Sequence, residues 1–163
     1  MQIRLAEEKD IVDINRIYNQ AIRQGFCTAH LEPLDIEYTR HWFSDHVTGS
    51  YPVFVSYENE KVTGWISLGP YRSDRQALTH VGEVSYYVDR NHQGRGVGSR
   101  LLAHAIDVSP SCGITVLIAI LLDKNPASIG ILEKFGFSMW GCMPGIAKIG
   151  LETADHLYFG LKL

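Results

Sequence analysis

The chain lacks several features that mark whole classes of protein. It has only three cysteines in 163 residues, Cys27, Cys112 and Cys142, and none of them forms a Cys-x-x-Cys pair. An odd number of unpaired thiols is typical of a reducing compartment, so we expect free cysteines and a cytoplasmic protein. The seven histidines show no His-x-x-x-His spacing and no paired Cys/His spacing. The sequence therefore gives no indication of a metal site.

Other absences concern partners. The chain has 15 basic and 18 acidic residues, for a formal net charge of −3, whereas a nucleic-acid binder usually has a basic balance. No apolar run approaches the length of a membrane span, and residues 1–10 are too polar for a signal sequence. We therefore expect no nucleic-acid or membrane partner, and a single domain over residues 1–163.

The apolar patterns predict alternating strands and helices. Helices are expected over residues 8–24, from Asp35 onward, over 98–108 and from Asn125 to about Phe135. Strands are expected over residues 3–5, 51–57, 62–68, 80–89, 114–122, 138–143 and 156–163. The run 114–122 is continuously apolar and rich in β-branched residues, as in a strand buried on both faces. The order β, α, α, β, β, β, α, β, α, β, β indicates an α/β (α+β) protein.

A glycine-rich turn, Gln93-Gly94-Arg95-Gly96-Val97-Gly98, lies between a predicted strand and a predicted helix. Glycines bring the backbone close to a ligand, and the N–H groups of a helix N-terminus favour a phosphate there. A Walker loop would place a lysine after the last glycine, but Ser99-Arg100 follows, and the spacing does not fit G-x-G-x-x-G. Taken alone, the stretch also fits a plain glycine-rich turn.

The same turn fits the pattern Q/R-x-x-G-x-G/A and resembles the loop with which GNAT N-acetyltransferases bind the pyrophosphate of acetyl-CoA. Asn125-Pro-Ala-Ser128, followed by residues 131–137, resembles the family's N-x-A-S…L-x-E-x-x-G-F segment. The resemblance covers essentially the whole chain. It implies the GNAT acyl-CoA acyltransferase fold, with a mixed, mostly antiparallel central sheet that is splayed at the cofactor strand and flanked by helices.

That resemblance implies acetyl-CoA as co-substrate and no metal. The residues it places on acetyl-CoA are Tyr86, Tyr87, Val88, Gln93, Gly94, Arg95, Gly96, Val97, Gly98, Ser99, Asn125 and Ser128. The strand at 86–88 would hydrogen-bond the pantetheine amides as an added strand does. A backbone N–H there, at Val88, would polarise the thioester carbonyl.

A closer resemblance is to the phosphinothricin and methionine-sulfoximine acetyltransferase branch. It rests on residues 17–19, 28–29, 51–53 and 69–72, and on Glu83 ahead of 86–88. It implies a small amino-acid-like amine as acceptor, and we expect a homodimer. Two features depart from that branch. Leu132 stands where the branch often has histidine and where other acetyltransferases have tyrosine, so the general acid is unassigned. Residues 148–153 have no tryptophan, which family members tend to have before the last strand.

Glu83 is the predicted general base, since a carboxylate beside a cleft deprotonates an ammonium directly or through water. The residues predicted to contact the acceptor are Tyr71, Arg72, Glu83, Ser85 and Thr28. Arginine binds carboxylates through two hydrogen bonds, so an acceptor with a carboxylate would suit an arginine here. Arg72 matches the arginine of the branch, whereas Arg75 does not align securely with it. The alternative interpretations are that Glu83 is a solvated glutamate at the start of a strand and that Arg72 is a solvated loop charge. Two other functions stay open, an acetyltransferase of peptide or protein N-termini and a non-catalytic acyl-CoA-binding or sensing domain.

Overall fold

The computed structural model describes residues 1–48 and 51–163. The main elements are β1 (Gln2–Leu5), α1 (Ile11–Gln24), α2 (Ile36–Thr48), β2 (Val53–Glu58), β3 (Lys61–Pro70), β4 (Val81–Val88), α3 (Val97–Val108), β5 (Val116–Leu122), α4 (Pro126–Lys134), β6 (Ser138–Ile149) and β7 (Glu152–Lys162). The strands form one sheet in the order β1-β2-β3-β4-β5-β7-β6. Every neighbouring pair is antiparallel except β4 and β5, which are parallel. The predicted order of elements and the mixed sheet are confirmed.

The sheet is covered by helices on both faces, because alternate residues of its central strands are apolar on each side. One core lies under α3 and α4 and includes Phe54, Ile66, Leu68, Val84, Val97, Leu101, Leu102 and Leu132. The other lies under α1 and α2 and includes Ile11, Ile14, Ile17, Phe43, Val53, Val55 and Trp65. In β2, Phe54 points to the first core, while Val53 and Val55 point to the second.

The one parallel contact in the sheet is short. Strands β4 and β5 pair at only three positions, Val81 with Val116, Gly82 with Leu117 and Glu83 with Ile118. Beyond Glu83, β4 continues to Val88 without pairing to β5, although β3 pairs with it along its whole length. The two strands therefore diverge, and the backbone groups on one edge of β4 are left without a neighbouring strand.

The closing hairpin is longer than predicted, since β6 reaches Ile149 and β7 begins at Glu152. Pro144 and Gly145, just beyond the predicted strand end at Met143, lie in a bulge opposite Asp155, between the pairs Met143–His156 and Ala147–Ala154. The bulge is held by the Gly145 N–H, which donates to the Asp155 carboxylate at 2.8 Å. Proline is tolerated there because β6 is an edge strand.

In the part of the chain that the structure describes, no helix is long and apolar enough to cross a membrane. No group of three His, Cys, Asp or Glu side chains within those residues is arranged to hold a metal ion. The three cysteines are free thiols.

Candidate active site

The gap between the diverging strands is a cleft of about 450 Å³. Its walls are the unpaired part of β4, residues 119–121 of β5, the glycine-rich turn and the first turn of α4. All of the residues predicted to bind acetyl-CoA line this cleft except Arg95, which is exposed. The splayed sheet thus brings together two motifs that lie about 30 residues apart in the chain.

The glycine-rich turn has the backbone that an anion site requires. Gly94 and Gly96 have φ of +71° and +77°, and a Cβ at either position would meet nothing within 4 Å. The first helical bond of α3 runs from the Arg100 N–H to the Gly96 carbonyl. The N–H groups of Val97, Gly98 and Ser99 therefore have no acceptor within the helix. Open space beside free N–H groups and the positive end of a helix dipole suits a phosphate.

The opposite wall is the N-terminus of α4. Asn125 caps this helix, because its Oδ1 accepts the Ser128 N–H at 3.2 Å, which leaves the Nδ2 hydrogens for a ligand. The Tyr86 hydroxyl donates to the Ser128 carbonyl at 3.4 Å and so ties the wall to β4. A Cβ at Gly98 would lie 3.3 Å from Ile131 and 3.5 Å from the Tyr86 ring. This glycine therefore lets α3 approach α4 and β4 closely.

Two smaller clefts lie on the α1 and α2 side of β4, with volumes of about 290 and 320 Å³. Glu83 lines both of them, while Ser85 and Tyr87 line all three clefts. A molecule in the large cleft and a molecule in a smaller one therefore share a wall on β4. This is the arrangement that a group transfer between two bound molecules needs.

Glu83 lies at the last β4–β5 pair, where the strands begin to diverge. Within residues 1–48 and 51–163 its carboxylate has no hydrogen-bond or ion-pair partner in the protein, and burial raises the pKa of this carboxyl above the ordinary glutamate value. Burial disfavours the charged form, so the carboxylate binds a proton more readily than an exposed one. A half-buried carboxylate with a raised pKa and no partner suits a general base.

Thr28 belongs to a hydrogen-bonded group on the wall of the third cleft. The Tyr18 hydroxyl is 2.9 Å from Thr28 Oγ1 and 2.6 Å from His30 Nδ1. The Tyr87 ring packs edge-on against Tyr18, with 4.8 Å between ring centroids. Burial raises the pKa of the Tyr87 and Tyr18 phenols. Both hydroxyls therefore stay protonated near neutral pH and fix the segment after α1 against β4.

Two of the predicted acceptor residues lie outside the clefts. Tyr71 and Arg72 are in the loop after β3 and line none of the three. The Arg72 side chain is exposed, with its guanidinium 5.5 Å from the centroid of the Tyr71 ring. Pro70, two residues earlier, does line the second cleft. Contact of Arg72 with an acceptor stays a prediction. Leu132 is buried and also lines the large cleft, so its side chain offers no proton donor there.

The sequence analysis missed the aromatic walls of the second cleft. Tyr18, Tyr38, Trp42, Trp65 and Tyr87 line it. Their helical and strand spacing is typical of ordinary core residues, so the pattern alone does not mark them as a site.

It also missed the contribution of α1 to the large cleft. Ala21 and Gln24 line that cleft from the last turn of α1, as does Cys27 just beyond it. Burial raises the pKa of the Cys27 thiol, so the group stays a neutral thiol in this wall. No motif in the sequence links the end of α1 to the glycine-rich turn, because the two meet only through the fold.

The comparisons with known proteins agree with this geometry. Residues 14–137 match the model of the acetyltransferase (GNAT) family, and the chain belongs to that family. It is similar to YwnH of Bacillus subtilis (strain 168), provisionally named a phosphinothricin acetyltransferase, with 39% identity over 100% of this chain and 99% of that protein.

A second relative is the L-methionine sulfoximine/L-methionine sulfone acetyltransferase of Salmonella typhimurium (strain LT2), with 35% identity over 100% of this chain and 95% of that protein. Among solved structures, yncA from Salmonella typhimurium with its cofactor acetyl-CoA superposes with a TM-score of 0.94. It is 33% identical, over 99% of this chain and 93% of that one.

Proposed function

We propose that this protein transfers the acetyl group of acetyl-CoA to the primary amine of a small amino-acid-like acceptor. The observation that carries the proposal is an arrangement on β4, where Ser85 and Tyr87 border the donor cleft and both acceptor-side clefts, and Glu83, two residues before Ser85, borders the two acceptor-side clefts. Relatives that act on amino-acid-like amines, and a solved relative that holds acetyl-CoA, support both substrates. We also propose that residues 1–163 act as one domain.

In this proposal the donor occupies the large cleft. Its pyrophosphate lies against the N–H groups of residues 97–99, with the space beside Gly94 and Gly96 taken by phosphate oxygens. Its pantetheine arm runs along the unpaired edge of residues 84–88 of β4, whose backbone groups then gain the partners that β5 does not provide. The thioester reaches Ser85 and Tyr87, which border all three clefts.

In the chemical step the Glu83 carboxylate takes a proton from the acceptor ammonium, directly or through water. The free amine attacks the thioester carbonyl, whose oxygen accepts a β4 backbone N–H, and the C–S bond breaks. As the C–S bond breaks, the attacking nitrogen releases its second proton to water, which gives the neutral amide. The leaving thiolate takes a proton from solvent, because Leu132 provides none. A thiolate is only weakly basic near neutral pH, so this last step needs no dedicated acid.

Glu83→Gln removes the base and keeps the shape of the site. We expect turnover to fall by roughly 10²–10⁴-fold with acetyl-CoA affinity nearly unchanged. The raised pKa of Glu83 places the acidic limb of the wild-type kcat/KM profile above the ordinary glutamate pKa of about 4.3, with activity lost as pH falls through it. The limb should vanish in the variant. Glu133→Gln, on the exposed face of α4, is the control. Matching profiles for wild type and Glu83→Gln would exclude Glu83 as the base.

The glycine-rich turn is tested by a matched pair of substitutions. Gly96 and Gly113 have φ of +77° and +75°, and neither would meet an atom within 4 Å of an added Cβ. Alanine costs roughly 1–2 kcal/mol of backbone strain at either position, but only at Gly96 does its methyl group enter the phosphate space. We expect acetyl-CoA to raise the melting temperature of wild type and Gly113→Ala and to do so far less for Gly96→Ala. Equal shifts in the two variants would refute the assignment.

The second cleft favours an acceptor with a neutral, apolar side chain. In the described part of the chain its lining has no lysine or arginine, and burial lowers the pKa of His46, so that imidazole is neutral near pH 7. An anionic side chain would lose its hydration there without gaining a cation, which costs several kcal/mol. The acceptor carboxylate would stay at the mouth of the cleft near Pro70, where Arg72 follows. Methionine sulfone and phenylalanine fit these conditions better than phosphinothricin does.

Trp42→Ala tests this cleft, with Val12→Ala as the control, since Val12 is an exposed apolar residue of α1 that lines none of the three clefts. Wild type should show a higher kcat/KM for L-methionine sulfone or L-phenylalanine than for phosphinothricin. Loss of a large apolar wall should lower kcat/KM for the bulky acceptors by about tenfold or more, and that for L-alanine much less. A preference for phosphinothricin, or equal losses for all acceptors, would show that Trp42 does not contact the acceptor side chain.

Acetylation of peptide or protein N-termini is less well supported. Such an acceptor needs a groove that continues past the residue carrying the amine, whereas the second cleft holds only about 290 Å³ and has α2 as one wall. A non-catalytic acyl-CoA sensor would not need, in the wall of the two acceptor-side clefts, a carboxylate that has no partner among the described residues.

We further propose a homodimer in the cytoplasm. Strand β6 exposes Met139, Trp140, Met143 and Ile146, with 58% of the Met139 and Ile146 surfaces accessible. Such an apolar patch favours contact with another protein surface, and free cysteines are typical of a reducing compartment. Sedimentation at micromolar concentration should give twice the chain mass of 18.3 kDa. A species of 18.3 kDa would contradict the dimer.

A further inference from the structure

One face of α1 carries three long polar side chains that all reach the segment between β4 and the glycine-rich turn. Arg16, Gln20 and Gln24 are spaced four residues apart, which places them in one row along the helix. We call these three residues the polar row. They lie beside the apolar stripe of α1 that covers the sheet, and the segment they reach, residues 88–93, leads directly into the phosphate turn.

The centre of these contacts is Asp89, which is buried with 3% of its surface accessible. Arg16 donates from Nη1 to Asp89 Oδ2, and Gln20 Nε2 donates to the same oxygen at 3.3 Å. Oδ1 accepts the Asn91 N–H at 2.9 Å and lies 3.1 Å from His92 Nδ1. Each carboxylate oxygen thus has two partners.

The other two contacts reach the backbone and the wall of the donor cleft. Gln20 Oε1 accepts the Arg90 N–H at 3.0 Å. Gln24 Oε1 accepts from Gln93 Nε2 at 3.2 Å, and both of these glutamines line the large cleft. Asp89 is therefore held by both Arg16 and Gln20, the Arg90 N–H by Gln20, and the Gln93 side chain by Gln24.

The electrostatics indicate that the carboxylate of Asp89 is always charged. Burial alone would raise the pKa of Asp89, but hydrogen bonds from Arg16, His92, the Asn91 N–H and Gln20 lower it to about 2. The carboxylate is thus ionised throughout the working pH range. Arg16 has a second, exposed partner, Asp13, whose carboxylate lies 2.9 Å from Nη2. That pair touches no part of the turn.

We propose that Arg16, Gln20 and Asp89 are positioning residues for the donor's pyrophosphate. They hold residues 89–93 so that the glycine-rich turn and the first turn of α3 present their N–H groups in binding geometry. None of the three needs to touch acetyl-CoA. The inference depends on the proposed function only in that the ligand of the turn is the phosphate portion of that donor.

The test compares two acetyl donors. Acetyl-CoA carries the pyrophosphate, and S-acetylpantetheine lacks it but keeps the reacting thioester. Gln20→Met removes both Gln20 hydrogen bonds while keeping length and helix propensity. We expect kcat/KM with acetyl-CoA to fall about tenfold through KM, as for loss of a hydrogen bond to a charged group. In Gln20→Met, kcat/KM with S-acetylpantetheine should change less than twofold, and the KM for the acceptor should stay constant. Asp89→Asn should show the same difference between the two donors, with a larger loss for acetyl-CoA.

Asp13→Asn is the matched control, since it removes the other carboxylate partner of Arg16. This variant should leave kcat/KM unchanged with both acetyl donors. Equal losses with both donors in Gln20→Met would mean that the polar row only stabilises the fold, and unchanged values with both would overturn the proposal as well. Calorimetric titration with CoA separates this inference from the proposed function. If wild type binds CoA but acetylates no acceptor, the proposed function fails. The positioning role is judged separately, since an unchanged CoA affinity in Gln20→Met would refute it in either case.

Discussion

The structure of this site depends on the early separation of two parallel strands. Three residue pairs join β4 to β5, and after Glu83 the strands part. The unpaired backbone groups on this edge of β4 need water or a bound molecule as hydrogen-bond partners. The divergence therefore creates both the cleft and a strand edge with which a ligand that has its own amide groups can pair. The glycine-rich turn and the cap of α4 then occupy the two sides of the same opening.

The divergence also explains how one strand serves two molecules. Val84, Tyr86 and Val88 face α3 and α4, while Glu83, Ser85 and Tyr87 face α1 and α2. Where β5 diverges from β4, Ser85 and Tyr87 of the second set also border the large cleft, whereas Glu83 borders the two smaller ones. In the proposed reaction, strand alternation would place the Glu83 base on the acceptor side, and the missing neighbour would open that side to the thioester. A fully paired β4 would separate the two clefts.

Much of the fold could be predicted from the sequence, as could the two motifs that line the large cleft, because both depend on local patterns. The order of strands and helices came from apolar spacing, and the turn at residues 93–98 and Asn125 came from short motifs. The acceptor side did not follow, because Trp42 and Trp65 have the spacing of ordinary core residues. The extension of β6 past Pro144 was missed, since a bulge held by Asp155 cannot be read from local residues. Arg72 lies outside the three clefts.

The bulges of β6 have a consequence for self-association. At one edge of the sheet β1 has only four residues, and at the other β6 is interrupted at Trp140 and again at residues 144–146. Irregular or short edges are poor templates for adding a strand from another molecule. Copies of this protein that meet through the apolar side chains of β6 therefore gain little from continuing the sheet. In the proposed dimer, such contact would favour a closed pair over open-ended polymers.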